Sequence, residues 1–170
     1  MYMIERLTNT GLVTVAFEIA QEAHDGQLYG GRPYINHPLE VAHLALDLGY
    51  PEEVQAGCLM HDVVEDSDIT FEDLEARGVP LVVVDGVEAV TYRRDIDNGG
   101  KILKARAHIL GHVIKFCDSS RNFATTVNDP ESLGQEKALT WAIDYAAKLG
   151  ELQPGLPTPL EIIEYLRSTQ

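Results

Sequence analysis

The sequence predicts an all-α fold organised as a single domain, and three observations carry that expectation. Apolar residues recur at helical spacing, proline and glycine mark the starts and stops of those stretches, and no internal repeat or linker divides the chain. In "TGLVTVAFEIAQEAHDG", Leu12, Val15, Ala16, Ile19, Ala20 and Ala23 form one stripe, and Gly26 supplies the stop. "HPLEVAHLALDLG" opens at Pro38, since a first-turn N–H has no helical partner to lose, and stops at Gly49. "PEEVQAGCLMHDVVED" opens likewise at Pro51, where Glu52 and Glu53 suit the positive end of the helix dipole, and reads as one helix. Thr70 and Asp73 in "TFEDLEARG" have capping-box spacing, with Gly78 as the stop. "PLVVVDGVEAVT" fits either a strand or a helix with Val83, Val84, Val87 and Val90 on one face. "KILKARAHILGHVIKFCDSSRNFATT" reads as one helix broken near Gly111, or as two. "PESLGQEKALTWAIDYAAKLGEL" follows, with Leu139, Ile143, Ala146 and Ala147 along one side, and "TPLEIIEYLRS" closes the chain.

Bulk properties narrow the function. A chain of 170 residues that is 45% hydrophobic has enough material for one real core. No stretch approaches the length of a membrane span, and "MYMIERLTNT" lacks the pattern of a secretion signal. Cys58 and Cys117 form no CxxC pair, so both are expected to be reduced and the chain cytoplasmic. A net charge of −14 argues against a nucleic-acid surface, because a phosphate backbone would be repelled overall. Yet seven of the 13 basic residues (Arg93, Arg94, Lys101, Lys104, Arg106, Lys115 and Arg121) fall between positions 93 and 121. That local charge would suit a small polyanion, or simply a solvated helix face.

The chemistry concentrates in "LMHDVVEDSD". On a continuous helix His61 and Glu65 share a face, as do Asp62 and Asp66, while Leu59, Met60, Val63 and Val64 face the core. Carboxylates beside so apolar a segment need a cation or hydrogen bonds. "PYINHPLEVA" places His37 immediately before a helix start, and "VIKFCDSSRN" places Asp118 on a helix whose Val113, Ile114 and Cys117 look buried. Two histidines and two aspartates from three helices can surround one divalent ion, and imidazole with carboxylate suits manganese, iron or zinc better than calcium.

Together, "AHDGQ", "GGRPYINHPLEVA", "LMHDVVEDSDITFEDLE", "VEAVT" and "IKFCDSSRN" resemble the HD-domain hydrolase half of the RelA/SpoT family, most of all the small stand-alone alarmone hydrolases. The resemblance runs from about Ala16 to Asn122 and implies a motif-bearing core over 10–127 followed by a helical tail over 128–170. It implies the all-α HD fold, usually with manganese, and removal of the 3′-diphosphate from guanosine tetra- and pentaphosphate. By position, His37, His61, Asp62 and Asp118 match the metal ligands, Glu65 and Asp66 the catalytic acidic pair, and Asn122 a residue lining the nucleotide site. Lys115 stands where the family usually has lysine. Where long members carry an Arg-Lys pair, this chain has Leu28 and Tyr29; Tyr29 offers a stacking ring, and Arg32 is nearby. Arg93 and Arg94, with Lys101 and Lys104, are the further candidates for holding phosphates. With no synthetase segment following, hydrolysis without synthesis is expected.

The partners expected are a small nucleotide, of guanine or adenine type, and no nucleic acid or membrane. A second copy of the chain, or a toxin if the protein is an antitoxin, remain open. Two other functions also stay open: an HD phosphatase removing one phosphate from a nucleotide or phosphorylated dinucleotide, and a metal-stabilised binding protein without turnover. Remaining candidates read as structural: His24 as a hydrogen-bonded residue, His43 as packed or partly exposed, and Trp141 and Tyr145 as core or interface. His108 and His112 have the spacing of a metal pair but lack nearby carboxylates. The thiols lie in apolar surroundings unsuited to a nucleophile.

Overall fold

A computed structural model describes Leu7, Thr10 and residues 11–29, 31–91 and 98–169. Their secondary structure is helical apart from one minimal hairpin. Helix α1 (Gly11–Ala23) is capped by Thr10, whose hydroxyl accepts from the Val13 N–H, and it buries Val13, Ala16, Ile19, Ala20 and Ala23. Leu12 and Val15, on the edge of the expected stripe, pack half-buried against the same core. Two-residue strands β1 (Leu28–Tyr29) and β2 (Arg32–Pro33) then pair antiparallel, and Gly31 takes the positive φ of 76° that the turn requires.

Helix α2 (Asn36–Asp47) begins two residues ahead of Pro38, so His37 lies inside its first turn rather than before it. Helix α3 (Glu52–Met60) is buried along Val54–Met60. The chain does not continue as one helix through "HDVVED": α3 ends at His61, and a separate turn, α4 (Val63–Asp66), follows Asp62. The reason is geometric. Adjacent residues on a regular helix point about 100° apart, and here His61 and Asp62 are turned toward one centre, with Asp62 at φ −105°, ψ −3°.

Helix α5 (Phe71–Ala76) has the expected Thr70–Asp73 capping box. The ambiguous valine run is helix α6 (Leu81–Val90), which buries Val83, Val84, Val87 and Val90. Helices α7 (Asn98–Ala107) and α8 (Ile109–Asn128) are separated at His108, whose ring nitrogen accepts from the Gly111 N–H at 3.2 Å and so caps α8. Gly111 is therefore not a breaker but a point of close approach: a Cβ there would meet the Ala89 Cβ at 2.7 Å and the Ala105 carbonyl oxygen at 3.3 Å. Neither neighbour has a flexible end to move aside. Gly111→Ala is expected to destabilise the chain by about 1–3 kcal/mol, read as a lower urea midpoint with unchanged m-value.

After the short α9 (Pro130–Leu133), helix α10 (Gln135–Leu152) packs along α8, anchored by the buried Ala138 and Leu152. The stripe of Leu139, Ile143, Ala146 and Ala147 faces outward: Leu139 and Ile143 are each 65% exposed. The face turned to α8 carries larger and more polar groups, including Trp141 and Tyr145. Helix α11 (Pro159–Ser168), with a Thr158–Glu161 capping box, contributes Ile162 and Leu166 to the core that also holds α1, α2, α3, α6 and α8. No helix among the described residues is long and apolar enough to cross a membrane.

Candidate metal centre and nucleotide cleft

Three elements converge on one point: the first turn of α2, the α3–α4 break and the middle of α8. Ligand-type atoms of His37, His61 and Asp118 lie within 4.8 Å of one another. Asp118 is buried because Val113, Ile114 and Cys117 bury the same side of α8. His61 is buried by the apolar end of α3, and its Nδ1 is 2.8 Å from the Cys58 carbonyl oxygen. A carbonyl only accepts, so Nδ1 must carry the hydrogen and Nε2 is left with a lone pair. That lone pair faces Asp62 Oδ2 at 2.9 Å and Asp118 Oδ1 at 3.6 Å, and Nε2 has no hydrogen-bond partner.

Three electron-rich atoms facing one another in a buried site demand a positive charge between them. Either the ring takes a proton or a cation occupies the site. The proton alternative is visible in the ring's affinity: burial alone would lower the His61 pKa, but Asp62 and Asp118 outweigh it and hold it well above the usual imidazole value. The same attraction works in reverse on the acids. Burial would raise the Asp118 pKa, yet Lys115, His37 and His61 keep it well below the carboxylate range, and His61 does the same for Asp62. His37 Nε2 lies 3.4 Å from Asp118 Oδ1, completing a set of two imidazoles and carboxylate oxygens that fits a divalent metal ion.

The support around these groups is specific. The Tyr34 hydroxyl donates to Asp62 Oδ2 at 2.7 Å, Lys115 Nζ bonds Asp118 Oδ2 at 2.7 Å, and the Asn122 amide donates to Asp118 Oδ1. Such outer bonds orient ligating carboxylates and imidazoles. Of the four expected ligands, His37, His61 and Asp118 form the tight group, and Asp62 borders it through His61 and Tyr34. Glu65 and Asp66 lie on α4 and are both exposed. Glu65 is within electrostatic reach of Lys101 and Lys115. Asp66 has its carbonyl held by Gln27 Nε2 at 3.0 Å, and burial followed by Asp62 raises its carboxyl pKa.

A cleft opens over the cluster, about 220 Å³ in volume, floored by His37, Asp62 and Asp118 and walled by Tyr29, Trp141 and Tyr145. Lys115 and Asn122 lie on its α8 side, as expected. Arg32 is in a neighbouring shallow depression shared with Tyr29; its side chain is 68% exposed and 3.7 Å from Glu40. Arg93 and Arg94 lie outside the described residues. The rest of the basic segment is dispersed: Lys104 bonds the Glu88 carbonyl, Arg106 the Pro154 carbonyl and Arg121 the Glu40 carboxylate. Among its described residues, Lys101 and Lys115 lie near the centre, and Lys148 joins them from α10.

Reading by residue type missed Tyr34, Trp141 and Tyr145. Tyr34 stands inside "PYINHP", so its neighbourhood with His37 was a usable signal. Trp141 and Tyr145 reach the cleft only because α10 lies along α8. Three of the histidines set aside do have structural settings: His24 Nδ1 is 3.0 Å from Gln27 Oε1, His43 is buried, and His112 Nε2 is 2.6 Å from the Leu152 carbonyl oxygen.

The HD domain family matches residues 16–108, which include His37, His61 and Asp62. The chain belongs to the HD domain family. Among proteins of known description, it is 41% identical over 75 residues to a guanosine-3′,5′-bis(diphosphate) 3′-pyrophosphohydrolase of Vibrio cholerae, 42% of this chain and 11% of that one. With the protein of the same name from Haemophilus influenzae it shares 35% identity over 118 residues, 63% of this chain and 17% of the relative. The matches thus span less than a fifth of these relatives' length. A solved structure of a metazoan ortholog of SpoT, described as hydrolysing ppGpp, superposes with a TM-score of 0.73 at 24% identity, covering 95% of this chain and 97% of the other. That likeness establishes the HD fold across nearly the whole chain, α10 and α11 included.

Proposed function

We propose that this protein is a divalent-metal-dependent pyrophosphohydrolase that removes the 3′-diphosphate from guanosine tetra- and pentaphosphate, releasing pyrophosphate with GDP or GTP. The observation that carries the reading is the His61 Nε2 lone pair, fixed by the Cys58 carbonyl and aimed at two carboxylates on the floor of an open cleft. Such an arrangement is costly without a cation and is useful with one. The names of the relatives in Vibrio cholerae and Haemophilus influenzae supply the substrate class.

His37, His61, Asp62 and Asp118 would hold the ion, with manganese favoured by the mixed imidazole and carboxylate donors. When bound, the ion polarises a phosphoryl oxygen and lowers the pKa of water. The chain's own groups do the rest. Lys115, Lys101 and Lys148 place positive charge beside the centre and draw the diphosphate in, against a net charge that would otherwise repel it. Glu65, within electrostatic reach of Lys101 and Lys115 from α4, accepts the proton of the attacking water on its carboxylate. Asp66, with its backbone carbonyl tied to Gln27, anchors the end of α4. Buried, unpaired Cys58 and Cys117 are consistent with a cytoplasmic setting, where we place the enzyme.

The test is product identity. Manganese-loaded protein incubated with guanosine tetraphosphate is expected to release pyrophosphate and GDP in equal amounts. Orthophosphate from a phosphomonoester, with the tetraphosphate untouched, would mark a phosphatase instead. Tight nucleotide binding with no product would mark a binding protein.

A further inference from the structure

The cleft has one wall that neither the metal cluster nor the phosphate-binding lysines account for. It comes from α10, which lies beyond the residues matched to the HD family, and it consists of aromatic rings. Trp141 borders the metal cleft on one side and, on the other, an outer depression that it shares with Lys137. The Lys137 ammonium lies over the indole, 4.2 Å from its centroid. A cation on that face leaves the remaining face for the cleft. Tyr29, from the hairpin, lines the same cleft. The indole is also held firmly, because α10 is anchored to α8 by Ala138 and Leu152, which are 2% and 0% exposed. It therefore has a set position relative to Asp118 on that same α8.

The polar lining is engaged elsewhere. Tyr34 is bonded to Asp62, and Lys115 and Asn122 are both bonded to Asp118. What remains to meet a base edge is tyrosine hydroxyl, which rotates to donate or accept, together with the second N–H and the Oδ1 of Asn122, which offer one donor and one acceptor; neither is committed to one purine edge. Stacking is itself tolerant of base identity, since every base presents a π-face.

We propose that Trp141 is the stacking platform for the nucleobase of the substrate, with Tyr29 lining the same cleft, and that the site consequently accepts adenine and guanine 3′-diphosphate nucleotides alike. This rests on the hydrolase reading above for the position of the phosphates, but its test is separable. Trp141 is the single tryptophan of the chain, so its emission reports on this wall alone.

The experiment is rapid mixing of the metal-loaded protein with guanosine 3′,5′-bis(diphosphate), its adenosine counterpart or inorganic pyrophosphate, following tryptophan emission first and released products afterwards. Both nucleotides are expected to quench emission with affinities within about threefold of each other, and pyrophosphate to leave it nearly unchanged. Trp141→Ala is expected to raise KM for both nucleotides by a common factor of about 5- to 150-fold, with kcat and inhibition by pyrophosphate unchanged and Trp141→Phe largely restored. A purely structural role for Trp141 would alter pyrophosphate inhibition along with KM. Quenching without product release would uphold the platform and reject the hydrolase; product release without quenching would do the reverse. Equal quenching by pyrophosphate, or a preference of more than about tenfold for one base, overturns the proposal.

Discussion

His61→Ala is expected to lose its metal ion and to hydrolyse guanosine tetraphosphate roughly 10³-fold more slowly or worse. The size of the loss follows from what the ion contributes: several kcal/mol of charge stabilisation, of which about 4 kcal/mol already corresponds to 10³ in rate. The reason for choosing His61 over its neighbours is its geometry. It is the one imidazole whose inward nitrogen is both buried and without a hydrogen-bond partner while facing two carboxylates. Asp118→Asn would be less clean, since it also strands Lys115, which is paired with Asp118 at 2.7 Å. Metal content after desalting, steady-state hydrolysis and far-UV circular dichroism together separate lost metal from lost fold. Full metal content with an unchanged rate in His61→Ala would contradict the assignment.

Glu65→Gln is expected to behave differently. It should keep one equivalent of metal and a similar KM while kcat falls by about 10²–10⁴-fold, the range for losing a general base. The basis is the location of Glu65 on α4, close enough for its charge to be felt at Lys101 and Lys115, on the side where the phosphates are drawn in. Asp66→Asn should have the smaller effect, because what the structure assigns to Asp66 is mainly a backbone carbonyl held by Gln27. If the two variants lost equal activity, the acidic pair would have to act as a unit. If Glu65→Gln retained full kcat, proton transfer would belong to another group.

Much of the fold was readable from chemistry local to each segment. The Thr70–Asp73 box and most of the α1 stripe need only side chains a few residues apart and are present as expected, and the valine run, which fitted strand or helix, takes the helical alternative. What could not be read is set by contacts distant along the chain. "CLMHDVVED" contains no proline or glycine, so nothing local announces the break at His61 and Asp62. It follows from their facing one centre together with Asp118, 56 residues beyond Asp62. In α10 the spacing of Leu139, Ile143, Ala146 and Ala147 correctly identified a shared stripe, but periodicity alone does not say which stripe meets the core. Packing along α8 turned that one outward and directed Trp141 and Tyr145 into the cleft.

For the site, the residues gathered around the cluster were those the motifs pointed to, because "PYINHP", "HDVVED" and "CDSSRN" bring the donors in recognisable company. The basic segment was less informative. Seven cations in sequence proximity looked like one patch, yet Lys104, Arg106 and Arg121 turn to carbonyls and to Glu40 in three different places. Helix geometry disperses neighbours in sequence, whereas a patch requires neighbours in space.

The most direct test of the account is anomalous diffraction at the manganese absorption edge from crystals of this chain grown with manganese. One strong peak is predicted within bonding distance of His37 Nε2, His61 Nε2 and a carboxylate oxygen of Asp118, with Asp62 at its edge. A map with no peak at that point, while the three side chains keep their present arrangement around a hydrogen-bonded water, would contradict it.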